Sequence, residues 1–363
     1  MSENPKRRKI AAKNEPTGFF SFAKANRGVA LLCLLVLATV GWAAMSSQRS
    51  IPIGATAMPI GTPPTMAPNA SAREYVYAGS SLISTIEPFR QAPEDLAVWR
   101  PGNGTWYVLN SQQHWVTQVW GSSTDLPAQG DFDGDGKTDF CIYRSSDSTW
   151  YIIGSATGAE QYIVFGSAGD KPVVGDYDGD GKSDTALWRS SNNTWYVKRS
   201  SDGVTSQAQF GSTGDTPSPA DYDGDGKTDY AIWRDSTHSF WVSKSTDGQP
   251  TTYSIGATGD EPVVGDYDGD GKTDYAVRRG SDNFWRILYS SDNSQATIQF
   301  GLNSDIAVPG RYVDSSDSDA KTDIAVWRPS TGVWYIRRSS DLSSRTTSWG
   351  VTGDIPVPAN WKR

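Results

Sequence analysis

Residues 169–211 read GDKPVVGDYDGDGKSDTALWRSSNNTWYVKRSSDGVTSQAQFG, and the same order of motifs returns along the chain. An aspartate- and glycine-rich loop lies at 176–184, and three short runs rich in β-branched and aromatic residues follow it, at 185–189, 194–200 and 205–211. Glycine, serine, asparagine and aspartate separate these runs. Runs of this length between such turns predict consecutive antiparallel strands.

The unit returns at a nearly fixed interval, with steps of 45, 45, 45, 45 and 49 residues. A large apolar residue followed by glycine closes each copy, at Trp120-Gly121, Phe165-Gly166, Phe210-Gly211, Ile255-Gly256, Phe300-Gly301 and Trp349-Gly350. A four-stranded repeat of about 45 residues has the size of a β-propeller blade. The sequence therefore predicts an all-β protein, a six-bladed β-propeller of four-stranded antiparallel blades over residues 95–363.

Two columns of residues predict how each blade packs. Strand one carries a proline, which marks an edge strand, and we place this strand innermost. Strand two carries a small residue with a large one two places on, so both lie on one face of the strand. The prolines are Pro127, Pro172, Pro217, Pro262 and Pro356, and the small residues are Ala97, Cys141, Ala186, Ala231, Ala276 and Ala325.

The two ends of the repeat region predict closure of the ring. The region begins inside a unit, at the strand-two run DLAVWR (95–100), and it finishes on a strand-one run, GDIPVPANW (353–361). Together the two pieces make one complete blade. The C-terminal strand should therefore pair with the N-terminal blade.

The N-terminal 45 residues have the pattern of an export segment. Residues 1–28 form a basic region that should stay in the cytoplasm, and 29–45 are an apolar, uncharged run. The run is near the lower limit of about 17 residues for a membrane span. It is either a signal peptide, cut after Ala43 or Ser46, or an uncut signal-anchor transmembrane helix.

Two segments connect this region to the repeats. Residues 46–72 are rich in Pro, Ser, Thr, Ala and Gly, and this composition predicts a flexible linker. Residues 73–94 contain two short strand-like runs around Ala78-Gly79, which we expect to dock on the propeller.

Composition excludes several classes of function. The formal net charge is −8, so the chain lacks the basic character of a nucleic-acid-binding protein. Two Cys and two His leave little room for a disulfide scaffold or a multi-histidine centre. No Ser-His-Asp set or pair of Glu is evident, so we predict no catalytic residues and no enzymatic activity.

The chemistry of the repeat lies in its loop between strands one and two. Aspartate occupies loop positions 1, 3, 5 and 9, and glycine occupies positions 4 and 6. Ca²⁺ takes six to eight hard oxygens, and the main-chain carbonyl of the lysine at position 7 supplies one more. The alternative is a set of Asp-Gly turns that bind nothing, but four carboxylates within nine residues repel one another without a cation. The predicted ligands are Asp131, Asp133, Asp135, Lys137 and Asp139; Asp176, Asp178, Asp180, Lys182 and Asp184; Asp221, Asp223, Asp225, Lys227 and Asp229; and Asp266, Asp268, Asp270, Lys272 and Asp274.

This loop, with the Phe-Gly closings and the blade length, resembles the FG-GAP/VCBS repeat family, which includes the propeller of integrin α-subunits, fungal lectins and bacterial surface proteins. The resemblance covers about 95–363 and implies Ca²⁺ at about four sites. The stretch 313–323 departs from the pattern, with four inserted residues, Ser315 at position 1 and Ala320 in place of glycine. It offers a weaker fifth set, Asp317, Asp319 and Asp323.

Other repeated residues allow two interpretations. Arginine ends strand two of every blade and tryptophan lies in strand three, so together they could hold an anionic ligand. The favoured interpretation is structural, with arginine paired to a neighbouring aspartate and tryptophan packed between blades. The residues are Arg100, Arg144, Arg189, Arg234, Arg279 and Arg328, and Trp106, Trp150, Trp195, Trp241, Trp285 and Trp334. Residues that break the repeat are further candidates for ligand contacts: Gln112, His114, His238, Arg278, Asn283 and the insertion at 313–320.

The function predicted from these features is that of an extracytoplasmic calcium-binding recognition module for a glycan or a surface protein. It is secreted, or anchored in the cell membrane with the propeller outside, and we expect a monomer. One alternative is a polysaccharide lyase or hydrolase on a propeller scaffold. Another is a non-catalytic structural surface subunit.

Overall fold

The computed structural model describes residues 74–78, 81–86, 95–110, 113–312 and 319–358, and every regular element in this part of the chain is a β-strand. The strands are β1 (Glu74–Ala78), β2 (Ser81–Ile86), β3 (Leu96–Arg100), β4 (Thr105–Leu109), β5 (Trp115–Val119), β6 (Leu126–Pro127), β7 (Phe140–Arg144), β8 (Thr149–Ile153), β9 (Glu160–Val164), β10 (Lys171–Pro172), β11 (Thr185–Arg189), β12 (Thr194–Lys198), β13 (Thr205–Gln209), β14 (Thr216–Pro217), β15 (Tyr230–Arg234), β16 (Ser239–Ser243), β17 (Pro250–Ser254), β18 (Glu261–Pro262), β19 (Tyr275–Arg279), β20 (Phe284–Leu288), β21 (Gln295–Gln299), β22 (Ile306–Ala307), β23 (Ile324–Arg328), β24 (Val333–Arg337), β25 (Ser344–Ser348) and β26 (Ile355–Pro356).

Six four-stranded antiparallel sheets form a six-bladed β-propeller, as predicted. Five sheets use consecutive strands in chain order, which is the meander expected of a propeller blade. We number the blades 1 to 6; their strand orders are β26-β3-β4-β5, β6-β7-β8-β9, β10-β11-β12-β13, β14-β15-β16-β17, β18-β19-β20-β21 and β22-β23-β24-β25.

Blade 1 joins the two ends of the repeat region, so the predicted closure is confirmed. Strand β26 pairs antiparallel with β3, with Ile355 opposite Trp99. The amide of Val357 donates to the carbonyl of Ala97 at 2.8 Å. Because the partners are more than 250 residues apart, this pairing turns an open row of blades into a ring.

The hydrophobic core lies between successive blades. The small residues of strand two are 0 % exposed, and the large residues two places on lie beside them in the interior. One cluster joins Val98 of blade 1 to Trp327 and Trp334 of blade 6, so blade closure also buries apolar surface. Cys141, in the small-residue column, is fully buried and packs with Tyr143 and Trp150.

Strand one is an edge strand in every sheet, as the proline in five of the six first strands predicted. Neighbouring blades converge at this edge, since a Cβ on Gly175 would lie 2.5 Å from Oγ1 of Thr228 in the next blade. The fourth strands, at the opposite edge, are largely exposed. These observations agree with strand one as the innermost strand.

Blade 4 carries its strand-three tryptophan one residue later than the other blades do, although Trp241 lies in strand three as predicted. In strand three of blade 4, Phe240 lies opposite Trp233 and is fully buried, as the third-strand tryptophans are in the other five blades. Trp241 follows it on the opposite face and packs on Arg234 instead. Successive side chains of a strand point to alternate faces, so a shift of one residue puts Trp241 on the opposite face of the sheet from the other strand-three tryptophans.

Strands β1 and β2 pair antiparallel as a two-stranded sheet, at the place where the sequence predicted two short strands. Their docking on the propeller stays a prediction. The basic region 1–28, the apolar segment 29–45 and the linker 46–72 lie outside the described residues. Within the described residues, no helix has the length and apolarity needed to cross a membrane.

Candidate metal centres

Each aspartate-rich loop is fastened at its two ends. In the first loop (131–139), Gly130 and Asp139 form an antiparallel bridge that closes it. The Asp139 carboxylate accepts the amide of Phe132 at 2.8 Å on one oxygen and the amide of Ser155 at 2.6 Å on the other. Position 9 therefore ties the loop to the turn between strands three and four of its own blade.

The position-1 carboxylate shapes the turn itself. Asp131 accepts the amide of Gly134 at 2.6 Å and that of Gly136 at 2.8 Å. Both glycines have positive φ, +81° and +79°, a conformation that side chains disfavour. The same two bonds recur from Asp176, Asp221 and Asp266 in the second (176–184), third (221–229) and fourth (266–274) loops.

In each of these four loops the carboxylates gather closely enough to share one cation. Three aspartates per loop bring carboxylate oxygens within 4.8 Å of one another. In the third loop, Oδ1 of Asp223 is buried and has no hydrogen-bond partner, a condition that a bound cation relieves. An all-oxygen donor set of this kind suits Ca²⁺. The converging groups are Asp131, Asp133 and Asp139; Asp176, Asp178 and Asp180; Asp221, Asp223 and Asp225; and Asp266, Asp268 and Asp274.

The comparison with protein families identifies this part of the chain. A family model described as FG-GAP-like repeat matches residues 131–186, 176–232 and 221–277. Residues 131–277 are FG-GAP-like repeats. The resemblance drawn from the loops is thereby confirmed for the region that holds all four aspartate clusters. No curated protein sequence matches the chain.

The chain is similar to several solved structures at low sequence identity. TolB from Acinetobacter baumannii is 15% identical, with a TM-score of 0.53, over 74% of this chain and 67% of that one. An Agrocybe aegerita lectin that recognises non-reducing terminal N-acetylglucosamine is 13% identical, with a TM-score of 0.47, over 70% and 76%. Virginiamycin B lyase from Staphylococcus aureus is 9% identical, with a TM-score of 0.46, over 78% and 90%. At 15% identity the likeness to TolB concerns the fold alone.

Burial raises the free-energy cost of ionising several aspartates in the loops of the FG-GAP-like repeats. It raises the pKa of Asp131, Asp139, Asp184 and Asp266 above the ordinary 3.8, against the hydrogen bonds from main-chain amides that lower it. At position 9 of the third and fourth loops, burial raises the pKa of Asp229 and Asp274 to about 6. A cation would reverse this cost, because an opposite charge favours the carboxylate form.

The metal-free protein should therefore become more stable as the pH falls from 7 to 5. Asp229 and Asp274 have a higher pKa folded, about 6, than the ordinary 3.8, so ionisation as the pH rises through 4 to 6 favours the unfolded state. Denaturant unfolding in chelator at pH 5, 6 and 7 measures the trend. Asp229→Asn should flatten it, and Asp202→Asn should not, because the pKa of exposed Asp202 is lowered and it titrates outside this window. Stability that is equal or greater at pH 7 would contradict the argument.

A serine that was not among the predicted site residues supports every loop. Its amide donates to the position-9 aspartate at 2.6 or 2.7 Å, and its hydroxyl donates to the aspartate at position 5. The signal was present, because the serine follows strand three at the spacing of the repeat. The residues are Ser155, Ser200, Ser245, Ser290 and Ser339.

The fifth loop differs from the sequence-based alignment. Gly310 bridges to Asp323, and Tyr312 donates its amide to Asp323 at 3.0 Å, as the residue at position 2 does in the other loops. Position 1 is therefore Arg311, and the placement of Ser315 there was wrong. Arg311 is 7% exposed, and its guanidinium donates from Nε to the main-chain carbonyl of Asp319 at 3.0 Å. A cationic side chain thus replaces a carboxylate; Asp317 lies outside the described residues.

The arginine ring has the predicted structural role. Arg144 donates from Nε and Nη2 to the two carboxylate oxygens of Asp125, at 2.9 and 2.8 Å, and stacks over Tyr151. The aspartate side chain is fully buried, while the arginine is partly exposed. The same two-bond pair occurs in every blade, and in blade 1 it is Arg100 with Asp354, across the closure. These arginines are therefore not free to bind a ligand.

Three residues that break the repeat have local partners. Arg278 replaces the strand-two tryptophan of blade 5 and is 1% exposed. It donates to Glu261 and to the carbonyls of Leu302 and Asp305 in blade 6. His238 contacts the hydroxyl of Thr258, and the main-chain amide of the exposed His114 donates to Oδ1 of Asn110 at 2.9 Å. The two histidines lie in turns of different blades, as predicted, and Gln112 lies outside the described residues.

Proposed function

We propose that this chain is a calcium-binding β-propeller that acts outside the cytoplasm as a recognition module, without catalysis. The observation that carries the calcium assignment is the repeated gathering of three carboxylates within 4.8 Å in four loops. At each site, the aspartates at positions 1, 3, 5 and 9 and the carbonyl at position 7 would hold the ion. Calcium would neutralise a loop charge of about −3 and draw the turn between strands three and four onto the loop.

Within the described residues, four loops gather the carboxylates that a calcium site needs. Arg311 stands where a fifth site needs the position-1 carboxylate, and its positive charge occupies the space beside Asp319. Calcium modules with affinities of about 10⁻⁴–10⁻³ M fill in extracellular fluid and not in the cytosol. The expected export segment at 29–45 agrees with this compartment.

The recognition role is supported by an asymmetry of the outer surface. The fourth strands of blades 1 and 2 expose Trp115 (66%), Val119 (68%), Tyr162 (56%) and Val164 (77%). The fourth strands of the later blades read TSQAQ, PTTYS, QATIQ and SRTTS and are polar. Exposed apolar residues on the fourth strands of two blades, where the other blades carry mostly polar ones, favour a contact site on these two strands.

An aromatic cleft lies within that sector, where blade 1 meets blade 2. Trp120, Tyr151 and Tyr162 contact one another, with ring centroids 5.5 to 6.3 Å apart, and Arg144 borders them. Tyr162 lies opposite Tyr151 across the strand pair, a place that Gln207 or threonine fills in the other blades. Aromatic faces of this kind pack against the apolar faces of sugar rings, so a glycan is the favoured ligand.

Retention on glycan and cell-surface protein arrays tests this function. The full chain should be retained in calcium and released by chelator. Tyr162→Thr, the residue of four other blades, should weaken retention by about tenfold or more, because buried aromatic anchors carry most binding energy. Gln207→Thr, at the same place in blade 3, is the matched control and should change nothing. Equal retention of the two variants would contradict the cleft as the site.

The enzyme alternative has its own readout. Product formed from uronic-acid polymers in calcium, and lost on substitution of one arginine or histidine, would favour a lyase or hydrolase. A protein that binds neither glycans nor surface proteins would instead be a structural subunit.

A further inference from the structure

The aspartate-rich loops of neighbouring blades are joined by a main-chain hydrogen bond. Three of these bonds join the four candidate metal loops, and one joins the fourth loop to the fifth. The amide of the position-8 residue in one loop donates to the carbonyl of the position-1 aspartate in the preceding loop. This bond occurs four times in succession, from Ser183 to Asp131 at 2.6 Å, Thr228 to Asp176 at 2.7 Å, Thr273 to Asp221 at 2.8 Å, and Thr322 to Asp266 at 2.6 Å.

The peptide group that makes each bond also carries a candidate metal ligand. The N–H of Ser183 and the C=O of Lys182 belong to one peptide unit, and position 7 is where the loop offers its main-chain carbonyl. No cis peptide bond is present in the described chain, so this N–H and C=O point in opposite directions from a rigid plane. When the Asp131 carbonyl of the first loop accepts the N–H of Ser183, it also fixes the direction of the Lys182 carbonyl, a candidate ligand in the second loop.

The lysine side chain at position 7 also contacts the preceding loop. The stem of Lys182 crosses the first loop at Gly134, where a Cβ would lie 2.9 Å from the lysine Cε. At Gly136, two residues further on, a Cβ would meet nothing within 4 Å. Lys227, Lys272 and Lys321 cross the preceding loops in the same way, at Gly179, Gly224 and Gly269.

We propose that these contacts couple the calcium sites, so that filling one loop raises the affinity of the loops beside it. The coupling rests on the proposed calcium binding. Calcium orders the position-1 aspartate of its own loop, and that aspartate's carbonyl then holds the next loop's peptide in place. The second ion meets a ligand that is already oriented, so less ordering opposes its binding. Coordination of the position-7 carbonyl also strengthens the N–H of the same peptide as a donor, which returns the effect to the preceding loop.

Electrostatics alone predicts the opposite behaviour. A filled loop is less negative by two charges, so it attracts the next calcium ion less strongly, and independent loops would fill with equal or falling affinity. Positive cooperativity therefore distinguishes contact-mediated coupling from charge effects.

Calcium titration of the full-length protein, followed by calorimetry and by the amide signals of the position-6 glycines, tests the proposal. These glycines, Gly136, Gly181, Gly226 and Gly271, report each loop separately. We expect a Hill coefficient above 1 for the unmodified chain. Asp178→Asn with Asp180→Asn, which disables the second loop, should weaken the first and third loops by about fivefold or more, the range of ordinary site coupling.

The control removes the same charge elsewhere. Asp202→Asn with Asp341→Asn, at exposed positions outside the loops, should leave all four midpoints unchanged. A Hill coefficient of 1 or below, or unchanged first and third loops in the Asp178→Asn, Asp180→Asn variant, would overturn the coupling while calcium binding stands. No calcium uptake by the folded, unmodified protein would overturn the proposed function and the coupling together.

Discussion

Chelation of calcium is expected to lower the melting temperature of the protein by many degrees. A ligand that binds only the folded state stabilises it by about 2.7 kcal/mol per site at a hundredfold excess over Kd, and four loops offer sites. Removal of the ions also leaves clustered carboxylates facing one another at neutral pH. Scanning calorimetry in millimolar calcium and in chelator measures the difference, and superimposed curves would contradict the assignment of the loops.

A single-loop variant refines this result. Asp223→Asn removes the carboxylate whose buried Oδ1 has no hydrogen-bond partner, so it should lower the melting temperature in calcium and change it little in chelator. Asp178→Asn should do the same in the second loop. Asp202→Asn is the control and should leave both melting temperatures nearly unchanged, because Asp202 is exposed and its partners, Arg199 and the amide of Val204, lie at the surface.

Loss of the C-terminal strand is expected to be the most damaging deletion. Removing residues 353–363 deletes β26, the pairing of Ile355 with Trp99, and the carboxylate that holds Arg100. Strand β3 then becomes an unpaired edge, a template for association with other chains. Size-exclusion chromatography should show oligomers or aggregates, together with a lower melting temperature. A monomeric truncated protein with unchanged melting would contradict closure by this strand.

A point substitution separates the ion pair from the strand. Asp354→Ala removes a buried carboxylate that makes two bonds to Arg100, at 2.7 and 2.9 Å, and accepts the amide of Val351. We expect a loss of about 1–3 kcal/mol in the free energy of unfolding, since buried donors lose their acceptor. Asp341→Ala removes an exposed partner of Arg338 and should cost less than about 1 kcal/mol. Equal losses would show that the pair of Arg100 and Asp354 contributes no more to the free energy of unfolding than an exposed ion pair does.

Local patterns were sufficient to predict the blades and their closure. The repeat fixes strand number, and the proline of strand one fixes its place at an edge, because proline cannot donate a ladder hydrogen bond. Pairing between the ends of the repeat region could be predicted because 95–100 has the pattern of strand two and 353–361 has the pattern of strand one. The aspartate loops could be predicted for the same reason, since their ligands lie within nine consecutive residues.

The sequence did not decide details for which residue type and strand register point to different alignments. Trp241 lies in strand three as predicted, but the strand pairing sets Phe240, and not Trp241, opposite Trp233. In the fifth loop an insertion was placed before position 1, whereas the bridge from Gly310 to Asp323 leaves Arg311 there. Neither choice changes the periodicity, so the sequence contained no local signal to decide them.

The sequence by itself determined the repeat, the four aspartate loops and the edge at which the ring closes, because each depends on residues close together in the chain or on period-two alternation. Only the tertiary structure decided which groups from different blades meet. Ser183 lies 52 residues from Asp131, and Trp120 lies 42 residues from Tyr162, so their contacts depend on the distance between blades and not on any spacing within one. Packing of neighbouring blades therefore creates both the hydrogen bonds between the aspartate loops and the aromatic cleft.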